Sequence, residues 1–209
     1  MRGARLVLLS AMACPAACAT ASPPPAAAPE VPYTCVLRPL ATLGPDFMVR
    51  QRVEASGHGR SGSFDAVLQK KGDTLVLVGL VAGIRAFTLK QVGEAISFEQ
   101  SLGPKMPFPP EYAVIDVHRV YWKRLPRAAD APASGVVEGT LDGERLRETW
   151  VNGSVVERTF ARPGERAGVV KVAYGPGCTA AVCEPAWVRI DNEWYGYAVK
   201  IDNREYSRL

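Results

Sequence analysis

The sequence predicts a mainly β domain with one inserted helix (α+β), and three observations carry that prediction. Short apolar–polar alternations recur along most of the chain, Asp142-Gly143 and Asn152-Gly153 punctuate one group of them, and a single stretch near residue 115 changes to helical spacing. Period-two alternation marks half-buried strands, and Asp-Gly or Asn-Gly supplies the positive φ of a two-residue hairpin turn. Glycine and proline together make up 36 of 209 residues, which favours turns over long helices.

Taken in order, Phe47, Val49, Gln51, Val53 and Ala55 alternate with Met48, Arg50, Arg52 and Glu54, giving a strand with a charged outer face. Residues 57–62 read as a flexible connection, and Phe64, Ala66 and Leu68 alternate in a second strand. Lys71-Gly72-Asp73 turns the chain into 75–81, a continuous apolar run rich in β-branched residues and therefore a central strand. Segments 84–91 and 95–100 continue the meander.

The proline-rich segment 103–110 then leads into a helix expected over 111–125. Pro110 suits the first turn, Glu111 complements the positive helix end, and Tyr112, Ile115, His118, Trp122 and Leu125 recur at three- and four-residue spacing before Pro126. Strands resume at 136–141, 145–151, 155–161, 169–174, 187–190 and 194–201, with a short end near Tyr206. An antiparallel sheet of ten or eleven strands tends to curl, and the helix would cover its concave apolar face.

The first residues carry a different message. Arg2 and Arg5 precede Leu6-Val7-Leu8-Leu9 and then a run of small residues, the parts of a secretory signal. That apolar run falls short of the roughly 20 residues of a permanent membrane helix. Cys18, after Ala16-Ala17, is the favoured lipidation site; Cys14, after Ala11-Met12-Ala13, is the alternative, and an ordinary signal peptide cut near Ala19 is the third reading. The expected organisation is a signal peptide at 1–17, a lipidated N-terminus and Pro/Ala tether at 18–32, and one β domain at 33–209. A polyproline-like tether of a dozen residues reaches about 35–40 Å. No aspartate follows Cys18, which in enteric-type sorting favours the outer membrane, facing the periplasm.

Charge excludes a class of partner. Without Arg2 and Arg5, 23 basic side chains face 21 acidic ones, too even a balance for nucleic-acid binding. An exported chain permits disulfides, and Cys178 and Cys183 flank a turn-like segment that a bridge would close. Cys35 is then left as a small buried hydrophobe or as a competing partner for one of the two. The cysteine spacing is not that of a zinc site, and no cofactor or metal is expected.

Several motifs invite sharper readings. Gly57-x-Gly59-x-x-Gly62 runs from strand to strand without the helix a dinucleotide site needs. Gly59-Arg60-Ser61-Gly62-Ser63 lacks the last glycine of a nucleophile elbow and its strand–turn–helix setting. Ser61, His118 and Asp116 spell a triad, yet Asp116 and His118 are two apart on a helix and do not face each other. No catalytic residue is expected, and the protein is read as not an enzyme; a lipid hydrolase is the minor alternative. Trp122, Trp150, Trp187, Trp194, Tyr195 and Tyr197 are core aromatics or the lining of an apolar cavity. The expected pocket is bounded by Leu77, Phe87, Phe98, Ile115 and Trp122.

The order of segments resembles a family of uncharacterised bacterial lipoproteins, often found in aryl-polyene clusters and itself similar to the LolA/LolB lipoprotein carriers. The resemblance spans about 36–206. It is carried by Leu37-x-Pro39 with Leu43-Gly44, Gln51, Phe64-x-Ala66, Leu77-Val78-Gly79-Leu80-x-x-Gly83-x-x-x-Phe87-x-Leu89, Pro109-Pro110 and Asp116 with Tyr121-Trp122. Lys123 stands where the family usually has proline after the helical tryptophan. The resemblance implies a half-open antiparallel β-barrel with the helix over its concave face, holding acyl chains in that cavity. It brings no catalytic residues. It offers no clear counterpart of LolB's protruding apolar loop; 80–84 is the nearest segment. The expected function is an outer-membrane-anchored lipoprotein that binds or transfers a lipid-like or acylated molecule, with envelope transport proteins as further partners. The alternative is an accessory envelope lipoprotein acting through protein contacts alone.

Overall fold

The computed structural model describes residues 35–102, 108–127, 131–162, 168–179 and 182–209. The expected leader and tether and both candidate lipidation cysteines, Cys14 and Cys18, lie outside the described residues. After a short 3-10 turn at Leu40–Thr42, five strands follow: β1 (Phe47–Gly57), β2 (Arg60–Lys71), β3 (Thr74–Val81), β4 (Ile84–Val92) and β5 (Ala95–Gln100). Helix α1 (Pro110–Tyr121) separates them from β6 (Gly135–Leu141), β7 (Glu144–Val151), β8 (Ser154–Ala161), β9 (Val169–Tyr174), β10 (Trp187–Asn192) and β11 (Tyr197–Arg208).

All eleven strands form one antiparallel sheet in the order β5-β4-β3-β2-β1-β11-β10-β9-β8-β7-β6. Two meanders therefore spread in opposite directions from the central pair β1–β11, where Phe47 lies opposite Arg208 and Gly57 opposite Tyr197. The strands β5 and β6 are the two edges, so the sheet is open, and α1 lies on the connection that joins one edge to the other.

Turn chemistry sets the strand ends. His58-Gly59, Ala82-Gly83, Asp142-Gly143 and Asn152-Gly153 each have positive φ at both residues, the geometry whose twist matches a two-residue hairpin. Residues 57–62 are thus not a flexible connection: β1 and β2 pair right up to Gly57 and Arg60, leaving His58-Gly59 as the turn. At the C-terminal end, Trp194 sits in the β10–β11 turn instead of in a strand, and β11 runs unbroken past Tyr206. A register shift between Arg50 and Gln51 lets the long strand keep pairing.

The helix stops at Tyr121, short of the expected residue 125. The backbone N–H groups of Trp122 and Lys123 both donate to His118 O, at 3.0 and 2.9 Å, which closes the last turn early. Lys123 then reaches Asp142, with Nζ 2.8 Å from Oδ2, and is buried there. Pro126 marks the stop four residues late because these contacts outcompete another turn.

Polar contacts from α1 reach across most of the sheet. His118 Nε2 lies 2.9 Å from Gln91 Oε1 on β4, and Gln51 of β1 donates to the Tyr121 hydroxyl at 3.2 Å. The Tyr197 hydroxyl of β11 donates to Asp116 at 2.6 Å, and Arg119 donates to Glu144 of β7 at 2.5 Å. One helix can touch β4, β1, β11 and β7 together only if the sheet bends around it. Among the described residues, no helix is long and apolar enough to cross a membrane.

Candidate functional site

A cavity of about 100 Å³ lies between α1 and the inner face of β1–β4 with β10 and β11. Its sheet wall is apolar: Val53, Ala55, Phe64, Leu68, Leu77, Phe87, Ile190, Val199 and Ile201. Register brings these residues together, since Val53 faces both Phe64 and Ile201 across its neighbours, Ala55 faces Val199, and Leu68 faces Leu77. The helix wall is Ala113, Asp116, Val117, Val120 and Tyr121, and Phe108 closes the helix N-terminal end by stacking on Tyr197 with ring centroids 4.3 Å apart.

Small side chains make the space. Ala55 lines the gap from the sheet and Ala113 from the helix, and Gly79 lets the Phe87 ring lie against β3, where any Cβ would collide with it. Phe64 meets Phe87 edge-on at 5.3 Å.

The polar atoms in the wall are spoken for. Asp116 accepts from Tyr197, and Gln51 donates to both the Tyr121 hydroxyl and, at 2.8 Å, to Asn203. Burial drives the Tyr121 phenol pKa well above its ordinary value, so it stays a neutral hydroxyl. His118 is fully buried beside the cavity, and desolvation first, then Lys123 and Arg38, lowers its pKa to about 4. At neutral pH its imidazole is uncharged. What the arrangement offers is a mainly apolar slot, with one carboxylate, Asp116, in its wall engaged by the Tyr197 hydroxyl.

Of the five residues expected to bound the pocket, Leu77 and Phe87 line this cavity. The other three do not line it. Phe98 is half-buried on β5, with its ring 6.0 Å from Phe87 and behind it. Ile115 is buried on the helix flank it shares with His118, turned away from the face carrying Ala113, Val117 and Val120. Trp122, past the helix end, packs at 5.0 Å on His118 and lines a second pocket with Phe47. Amphipathic spacing locates the apolar side of a helix but not its rotation to within one residue, and that rotation excluded Ile115. Phe64, Val199 and Ile201 were missed. Pairing β1 with both neighbours was the signal that would have found them.

The Ser61, His118 and Asp116 combination is not assembled. Ser61 is exposed beside the first hairpin, His118 bonds Gln91, and Asp116 bonds Tyr197.

The opposite flank of α1 holds charge. Besides Arg119–Glu144, Arg158 of β8 donates through Nε to Glu148 of β7 at 2.8 Å, and both side chains are fully buried. Arg158 Nη1 also donates to Val120 O at 3.0 Å and to the Tyr174 hydroxyl at 3.1 Å. Tyr174 in turn donates to Val120 O at 3.1 Å, and burial raises its pKa to about 12 despite Arg158. Cys178 and Cys183 are joined in a disulfide, and Cys183 Sγ lies 3.8 Å from the same carbonyl, a contact only, since a bridged sulfur has no hydrogen to donate. Cys35 is the free cysteine among the described residues, and burial, partly offset by Arg119 and Lys123, raises its pKa.

No curated protein matches the chain. Several solved structures resemble it in chain path. A LolA superfamily protein from Nitrosomonas europaea is 11% identical, with 78% of this chain and 86% of that one covered and a TM-score of 0.43. A putative outer membrane lipoprotein-sorting protein domain from Vibrio parahaemolyticus is 9% identical, covering 79% and 86%, with a TM-score of 0.45. The lipoprotein LppX from Mycobacterium tuberculosis is 11% identical, covering 79% and 88%, with a TM-score of 0.32. A family model for a protein of unknown function, DUF3261, matches residues 48–205, and the chain belongs to that family.

Proposed function

We propose that this protein is a periplasm-facing lipoprotein of the outer membrane that binds or transfers a lipid-like or acylated molecule between α1 and the curved sheet. In this reading the sheet is a half-open barrel, α1 covers its concave side, and the protein is a carrier or binding module instead of an enzyme. The observation that carries the reading is the cavity itself: an apolar gap in the middle of a domain core, walled by Phe64, Leu77, Phe87 and Val117, with its few polar groups already hydrogen-bonded to one another. Protein interiors are otherwise close-packed, and an apolar void loses dispersion contacts that a hydrocarbon guest would restore.

The cavity of about 100 Å³ is small beside ligand pockets of roughly 300–1,000 Å³. A full acyl chain therefore requires α1 to lift from β1–β4. Between helix and those strands, polar links among the described residues include His118–Gln91 and Gln51–Tyr121, beside the apolar wall. On the opposite flank, lifting the helix would instead leave buried charges unpaired, which costs about 3–5 kcal/mol per broken pair. The closed volume also favours a second reading, an accessory envelope lipoprotein that works through protein contacts without a ligand. Anchoring is supported by sequence alone, through the leader-like start and Cys18.

Mass spectrometry of material extracted from the purified protein separates the two readings, together with titration of a fluorescent fatty acid. The carrier reading expects bound lipid and saturable probe binding that Val117→Phe abolishes by filling the slot. Absence of both leaves the accessory reading. For the anchor, Cys18→Ser is expected to release the protein to the soluble periplasm while Cys14→Ser does not.

A further inference from the structure

On the far side of Tyr121 lies a second, polar pocket of about 210 Å³. The Tyr121 side chain is the wall common to both spaces. The second pocket is framed by aromatic rings: Phe47 stacks on Tyr206 at 5.3 Å and lies 5.7 Å from Tyr121 and 6.3 Å from Trp122. Arg38, from the segment before the first strand, and Arg124, just past the helix, both line it. Among its described lining residues the carboxylate is Glu184, which Arg208 engages through Nη2 at 3.2 Å. An aromatic frame with two guanidinium groups and one carboxylate already paired with Arg208 suits an anionic group joined to an apolar stem.

We propose that this pocket is the head-group compartment of the acyl site, and that the ligand is an amphiphile with an anionic head, carboxylate or phosphate, whose chain passes Tyr121 into the apolar cavity. The proposal rests on the reading of that cavity as an acyl site. Besides the lifting of α1 that a full chain needs, it requires the Tyr121 partition between the two spaces to open. Tyr121 is held at the partition by Gln51 and by packing on Phe47, and a rotation of its side chain would merge the two spaces. The passage between the two spaces would then be controlled by one side chain at the C-terminal end of α1, and the head group would stay at the sheet end where Phe47 and Tyr206 meet. Arg38 also precedes the domain's first strand on the side of the chain leading to Cys18.

The test uses the purified full chain, stripped of lipid, and calorimetric titration with four probes of one chain length: dodecanoate, dodecyl phosphate, dodecanol and dodecyltrimethylammonium. At least one anion is expected to bind about fivefold or more tighter than the alcohol, with the cation weakest. The preference is expected to shrink at about 1 M salt, where the screening length is about 3 Å. The double variant Arg38→Gln, Arg124→Gln is expected to bring anion affinity down to that of the alcohol while leaving dodecanol binding unchanged, which also shows that the variant is folded. Whichever anion gains most identifies the head as carboxylate or phosphate. Equal affinity for alcohol and anions, or a preference that survives the double variant, overturns the head-group assignment and leaves the acyl cavity standing. Failure of all four probes to bind overturns the acyl reading and this proposal with it.

Discussion

The two flanks of α1 are built from different materials. Toward β1–β4 the helix meets aliphatic and aromatic side chains across a gap, with the links Gln51–Tyr121 and His118–Gln91 among the described residues. Toward β7–β9 it meets buried ion pairs, Arg119–Glu144 and Arg158–Glu148, and Val120 O accepts from both Arg158 and Tyr174. Directed, desolvated contacts fix orientation and fail abruptly when one partner is lost, whereas apolar contact tolerates sliding and separation. The contrast teaches that directed contacts tie α1 to the C-terminal meander, so in the carrier reading the seam expected to open is the one against the N-terminal meander.

The largest effect expected from breaking this asymmetry is at Arg158. Arg158→Ala leaves Glu148 buried without its partner and is expected to cost about 3–5 kcal/mol in urea unfolding. The double variant Arg158→Met, Glu148→Leu removes both charges and is expected to recover most of that loss. A single variant that unfolds like the wild type would mean the charged flank does not clamp the helix. The disulfide on the same flank closes a small loop, and the Cys178→Ser, Cys183→Ser variant is expected to remain folded but lose about 2 kcal/mol, seen as a lower Tm.

The opposite seam should answer to acid. His118 holds its folded pKa at about 4 while the unfolded chain titrates at about 6.5, so the unfolded state binds more protons in between. The stability that neutral His118 contributes is complete above pH 6.5, falls by about 2 kcal/mol at pH 5, and is gone below pH 4. Measuring stability from pH 7.5 downward, with His118→Gln as the control that flattens the slope, checks the sign. The smallest effect on stability is expected from Val117→Phe, about 1 kcal/mol or less if the added ring fills existing space, although it should remove acyl binding. A cost of several kcal/mol would show that there is no usable space under the helix.

Most of the strand plan was legible, because period two and paired-φ turns are local properties. Asp142-Gly143 and Asn152-Gly153 announce their hairpins with no help from the rest of the fold. His58-Gly59 did not, since the sequence signal of such a turn is Asn-Gly or Asp-Gly, and the glycines around it read as slack. The charged flank was hidden for a different reason. Glu144, Leu146, Glu148 and Trp150 form the inner face of β7, but Glu and Arg in alternation look like a solvent face until a second charged element, Arg119 on α1 or Arg158 on β8, is brought opposite. In the pocket, the placing of Leu77 and Phe87 follows from strand phase, whereas that of Ile115 and Trp122 depends on how far the helix is rotated, which its neighbours decide.

The central pairing of β1 with β11 also has a consequence for the order of assembly. Each meander can zip from its own hairpins as soon as its strands are made. The seam that joins them waits for residues 197–208, about 150 residues after β1, and closing so long a loop is entropically dear and slow. Until then Val49, Val53 and Ala55 lack one neighbour strand, and β1 and β10 each present an unpaired backbone edge to whatever is near. A chain released before its last dozen residues would therefore hold two sticky half-sheets instead of a slightly shortened domain, and a chaperone that shields β1 would be acting on the one strand whose partner always arrives last.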